Sequence, residues 1–136
     1  MADLSKSKKL DRLVKVQGHL TKMVENELAI TTRERAELAE KIETLSGYLT
    51  SYDPLHQDML KHYVMRHSRL MARDVRLESI QDAQETQLLK ETKKGEKLED
   101  KRDSAREDEA RVRDDNSIYE LIDLQISMKA SSLQQG

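Results

Sequence analysis

Apolar residues along this chain recur every three or four places, and charged residues fill most of the positions between them. That spacing gives a helix one narrow apolar stripe and a solvated remainder. In the first arm, Leu10, Leu13, Leu20, Val24, Leu28, Leu38, Ile42, Leu45 and Leu49 follow the rule, with Gln17 in a seam position. A 3-4-4 slip around Val24 and Leu28 reads as a stutter, which relaxes a supercoil locally without ending the helix. The second arm carries a seven-residue repeat through Tyr63, Leu70, Leu77, Gln84, Glu91, Leu98, Ala105, Val112, Tyr119, Ile126 and Leu133. Its alternate seam places are poorer: Leu60 and Leu88 are apolar, but His67, Asp74, Gln81, Gly95, Arg102 and Glu109 are not. The sequence therefore predicts a loosely packed coiled-coil seam with Gly95 as its bend.

Two local signals divide the arms. Gly47 reads as a helix stop, and Asp53 followed by Pro54 reads as a cap with proline at the first helical position. These place helix 1 at about 5–46, a turn at 47–53 and helix 2 at about 54–130. Ser117 and Glu120 form an S-x-x-E capping pattern that offers a break near 116, although the repeat crossing from Val112 to Tyr119 favours continuity. The expected fold is all-α: one domain over 1–136, an extended antiparallel two-helix coiled-coil hairpin whose longer second helix overhangs the first.

Folding the arms about Ser51 sets a register that pairs Leu45 with Met59, Leu38 with Met65, Leu28 with Leu77, Val24 with Ile80, Leu20 with Ala83 and Leu13 with Leu89. It also sets Glu27, Glu34, Glu37 and Glu40 opposite His62, Arg66, Arg69, Arg73 and Arg76. Exposed pairs of this kind are worth only about 0.2–1 kcal/mol each, so they would select orientation more than supply stability. In this register the hairpin ends near Leu98, and about 35 residues of helix would project some 50 Å beyond it at 1.5 Å per residue.

Composition narrows the function. Four tyrosines are the only aromatics in 136 residues, so a large globular core is not expected. The 24 basic and 26 acidic residues interleave to a net charge of −2, which favours helix over a self-repelling disordered chain. The absence of cysteine removes disulfides and thiolate metal sites, and the first fifteen residues lack an apolar signal core. A soluble, cytosolic protein is the expectation.

The chemistry-bearing side chains form no reactive constellation. His19, His56, His62 and His67 lack the i, i+4 spacing that presents two imidazoles to one metal ion. A narrow coil also offers its carboxylates no water-poor cleft for acid–base work. No catalytic residue, metal or cofactor is expected, and the chain reads as a non-enzyme without a small-molecule substrate. Two surfaces remain. Arg66, Arg69, Arg73 and Arg76 form a basic stripe suited to a phosphate backbone, but the glutamates of the first arm and the lack of interleaved aromatics argue against nucleic acid. Ile118, Tyr119, Leu121, Ile122, Leu124, Ile126 and Met128 crowd one short span, more apolar surface than a single seam hides, and mark a partner-binding segment.

The run Leu10-x-x-Leu13-Val14-Lys15-Val16-Gln17, then Glu25-x-Glu27-Leu28-Ala29, then Leu45, Tyr48 and Tyr52 before the turn, resembles the N-terminal half of the FliJ family of flagellar export proteins and its YscO-like relatives in type III secretion. The shorter first helix and longer charged second helix are similar as well. The resemblance implies a stalk that engages a hexameric export ATPase ring and a membrane export gate, located in the cytoplasm at the periphery of the export apparatus. It makes Ile118, Tyr119, Leu121, Ile122 and Ile126 the ATPase-facing residues and the 48–54 region the distal tip. Two other readings stand beside it: a nucleic-acid-binding arm using the arginine stripe, and a self-associating coiled-coil adaptor.

Overall fold

The computed structural model describes residues 5–135 and is entirely helical: α1 (Lys6–Leu49), α2 (Pro54–Asp58) and α3 (Leu60–Gln135). The long helices α1 and α3 pack against each other in a hairpin-like arrangement, and α2 lies in the connection between them. By contact density the chain forms two units, residues 17–94 and residues 5–16 with 95–135.

In the unit of residues 17–94 the partners run in opposite directions. Gln17 bonds Glu91, Arg35 bonds Asp74 and Gln81, and Ser46 bonds His67. In the other unit, Ser7 bonds Glu109 and Asp11 bonds Arg102 and Arg106. Buried apolar side chains are few among the described residues: Leu38, Leu45 and Ala105, each 4–5% exposed. Packing is thus confined to a strip between two helices, as a chain with so little aromatic volume requires.

The strip follows a stricter rule than the apolar residues alone suggest. The less accessible positions of α1 run Ser7, Leu10, Val14, Gln17, Thr21, Val24, Leu28, Thr31, Arg35, Leu38, Ile42, Leu45 and Leu49, alternating by three and four without a slip, with Asp11 and Ser46 beside the row. The expected stutter is therefore absent. Leu13 and Leu20, assigned to the seam by hydrophobicity, are 51% and 45% exposed, while Val14 and Thr21 take their places. In α3 the seam runs Tyr63, His67, Leu70, Asp74, Leu77, Gln81, Gln84, Leu88, Glu91, Gly95, Leu98, Arg102, Ala105 and Glu109, both sets of places that the seven-residue repeat defines.

The connection differs from the expected turn in three ways. Helix α1 runs through Gly47 to Leu49, and Gly47 has no positive φ. It ends instead where the Thr50 hydroxyl donates to the Gly47 carbonyl at 3.1 Å and the Ser51 amide to that of Tyr48 at 3.3 Å. Asp53 then caps as predicted, its side chain accepting the Leu55 amide at 3.0 Å with Pro54 behind it. The helix so started lasts five residues and stops at Met59 (φ −96°, ψ 3°), from which α3 begins.

This broad connection moves the register. It places α1 against residues of α3 up to about ten positions further on than a turn centred at Ser51 would, nearly three helical turns. The predicted partners Met59, Met65, Ile80, Ala83 and Leu89 accordingly stand exposed. Pairing also reaches further along α3, to Glu109 instead of Leu98, because Ser7 meets that carboxylate. Helix α3 is continuous through Asn116 and Ser117, so the capping pattern there starts no new helix.

Candidate partner-binding surfaces

The polar seam residues are positioned before any outer surface is, and almost every one has a named partner. The Gln17 amide donates to the Glu91 carbonyl at 3.1 Å and also to its carboxylate, which accepts Gln87 at 2.7 Å and Lys94 at 3.5 Å. Arg35 reaches Asp74 at 3.2 Å and Gln81 at 2.9 Å. In the unit holding the chain ends, Arg102 bonds Asp11 at 3.1 Å, and Glu109 accepts both the amide and the hydroxyl of Ser7. Places that looked like weak points of one arm are met by polar places of the other. A one-turn slip would set these groups against leucines, so they fix register at a cost in apolar burial.

These bonds act on ionisation. The Gln17 amide, helped by Lys94 and Gln87, holds the Glu91 carboxyl below its ordinary range against the opposing effect of burial. Ser7 does the same for Glu109 through hydroxyl and amide, and Lys15 with Arg102 does so for Asp11. A carboxyl with a lowered folded pKa stabilises the fold above its ordinary value, 4.5 for glutamate, and that contribution is lost as pH falls through the lowered value. The melting temperature should therefore hold from neutral pH to about pH 5 and drop below it. Glu91→Gln should flatten the acid limb in a circular-dichroism melt series, and an unchanged limb would remove Glu91 from this role.

Gln84 is the exception, since its Oε1 is buried without a hydrogen-bond partner among the described residues. An unpaired buried acceptor costs about 1–3 kcal/mol, so Gln84→Leu should stabilise the chain by about 1 kcal/mol in chemical denaturation. A neutral or destabilising result would mean the oxygen is satisfied by water.

Outside the seam three surfaces stand out. The first is the turn, where Tyr48 stacks on His56 with centroids 4.6 Å apart and Tyr63 lies 5.4 Å from Tyr48. His56 Nδ1 is bonded to the Ser51 hydroxyl at 2.8 Å, and beside this cluster Tyr52 and Leu55 are 91% and 67% exposed. The sequence offered Tyr48 and Tyr52 only through the resemblance; the cluster needs the α2 segment to bring His56 to Tyr48.

The second is the arginine stripe. Arg66, Arg69, Arg73 and Arg76 are exposed on one side of α3, and no carboxylate lies within 4.0 Å of any of them among the described residues. The glutamates expected to answer them do not. Glu37 and Glu40 instead share with Arg66, His62, Tyr48, Leu45 and Leu70 a groove of about 560 Å³. Arg35, in the seam, is the arginine that crosses to α3, at Asp74.

The third is the last part of α3. Every described side chain from Arg111 to Gln134 is exposed, including Ile118 at 54%, Tyr119 at 66%, Leu121 at 60%, Ile122 at 44% and Ile126 at 62%. Leu124 and Met128 extend the same apolar surface. Among the described residues no helix is long and apolar enough to cross a membrane, and no group of His, Asp and Glu side chains is arranged to hold a metal ion. Comparison with protein-family models, with curated proteins and with solved structures finds no match to this chain.

Proposed function

We propose that this chain is a non-enzymatic coiled-coil stalk or adaptor of a flagellar or type III export apparatus, in which the end of α3 engages a hexameric export ATPase ring. One observation carries the reading: seven large apolar side chains between Ile118 and Met128 are uncovered on a helix that has already packed its seam residues elsewhere. Exposed apolar surface of this density costs solubility unless a partner covers it. Its residues surround much of the helix circumference, which suits insertion between several subunits better than docking on one flat face.

The remaining parts fit the same role. Register-fixing polar pairs keep an antiparallel coiled coil from sliding, as transmission of geometry along a stalk requires. The braced turn with Tyr52 and Leu55 outermost supplies a second contact point, for which the membrane export gate is the partner the stalk reading implies. The chain would act in the cytoplasm at the periphery of that apparatus. The test is capture of the hexameric export ATPase by the intact chain and by the Ile122→Asp, Ile126→Asp variant: binding by the first and none by the second supports the role. Equal binding by both, or binding by neither, removes it.

A further inference from the structure

Two stretches of α3 are equal in length and opposite in charge. Residues 62–76 hold Arg66, Arg69, Arg73 and Arg76 and one acid, Asp74, which Arg35 already engages at 3.2 Å. Residues 114–128 hold Asp114, Asp115, Glu120 and Asp123 and no base. Each stretch is about 21 Å of helix.

Their apolar content is complementary too. Beside the arginine row, Met65 and Ile80 are 49% and 47% exposed, and the adjoining groove is lined by Leu45, Leu70, His62 and Arg66 among others. The acidic stretch carries the uncovered Ile118 to Met128 surface. Glu37, Glu40 and Lys41 line the groove on the α1 side. In the 114–128 stretch Glu120 and Asp123 share one polar face of the helix with Asn116 and Ser127, and this is the flank that can turn towards the arginines. Guanidinium groups spaced by three, four and three residues and free of carboxylates are positioned to take such a flank in bidentate bonds.

We infer that two copies of this chain associate, each laying its 114–128 stretch along the arginine face of residues 62–76 of the other. Every copy carries both halves, so each copy of a pair offers one half and receives the other. Pairing of the two acidic stretches with each other would instead set four acids against four. The associated form buries the C-terminal apolar surface and so competes with any other partner of that surface. This inference stands independently of the export reading.

The experiment is sedimentation equilibrium of the full chain at about 0.05 and 0.5 M salt, where screening lengths differ about threefold. The expected result is a dimer whose dissociation constant weakens at least tenfold at high salt. The variants Arg69→Glu with Arg73→Glu, and Glu120→Arg with Asp123→Arg, should each be monomeric with unchanged helicity. Mixed in equal amounts they should recover the dimer, because both contacts of the mixed pair are again between opposite charges. A wild-type chain that stays monomeric, a dimer indifferent to both reversals, or a mixture that fails to recover would each overturn the inference. Retention of a monomeric wild type on heparin or duplex DNA, lost with the arginine reversals, would reassign the stripe to polyanions and overturn it as well. None of these readouts involves the ATPase, so failure here and failure of the export reading are distinguishable.

Discussion

If the proposed export role holds, Ile122→Asp with Ile126→Asp should lower affinity for a hexameric export ATPase by at least a hundredfold while leaving helical content and the unfolding transition of the paired helices unchanged. Both side chains are exposed, at 44% and 62%, on a part of α3 whose described side chains are all exposed. The variants therefore remove nothing from the fold beyond the lower helix propensity of aspartate, about 0.5 kcal/mol or less per site. At an interface the change is larger: central apolar anchors cost about 2 kcal/mol or more when truncated, and a buried unpaired carboxylate adds to that. Titration of the fluorescently labelled chain with the ATPase reads the affinity, and circular dichroism reads the fold. A variant that binds like the wild type would show that the exposed apolar surface is not the contact; one that unfolds would show that the segment is part of the packed structure.

The second large effect lies in the seam. Leu38→Ala and Leu45→Ala should each destabilise the chain by about 2–4 kcal/mol, whereas Leu13→Ala and Leu20→Ala should cost about 0.5 kcal/mol or less. Leu38 and Leu45 are 4% and 5% exposed, and with Ala105 they are the buried apolar residues of the described chain. Leu13 and Leu20 sit at 51% and 45% exposure despite the same chemistry. With so few buried side chains, losing one removes a large fraction of a typical domain stability of about 5–15 kcal/mol. Urea denaturation of the four variants checks the ranking. If Leu13→Ala proved as damaging as Leu45→Ala, the seam would pass through Leu13 and the strict alternation of fours and threes in α1 would be wrong.

The contrast between Leu13 and Val14 shows where sequence reasoning lost the seam. Reading hydrophobicity alone, Leu13 and Leu20 outrank Val14 and Thr21, and admitting them forces a slip near Val24. The signal that resolves it was present. Gln17, Thr21, Thr31 and Arg35 fall at strict seven-residue spacings with the leucines, and Asp74, Gln81, Glu91, Arg102 and Glu109 do so on the other arm. Polar residues at matching places on two arms are partners waiting to be paired, and the hydrogen bonds of Gln17 with Glu91 and Arg35 with Asp74 are that pairing. The exposed apolar segment was legible because no seam has room for Ile118, Leu121, Ile122 and Leu124 together. The freedom of the arginine stripe was not, because it depends on which residues of α1 lie opposite.

By itself the sequence determined that this chain is helical throughout, that it reverses once between Gly47 and Pro54, and that α3 carries a seven-residue repeat beyond the reach of α1. Those features are local: periodicity, capping by Asp53 and the fixed φ of Pro54 act within a few residues. Only the tertiary structure decided the register. Its setting rests on the stop of the Pro54–Asp58 helix at Met59 and the stacking of Tyr48 on His56, neither of which has a local signature. A shift of up to about ten residues in a hairpin leaves every helix intact yet changes all of its cross-helix partners, and it is this that left Arg66, Arg69, Arg73 and Arg76 without carboxylates and gave Asp74 to Arg35.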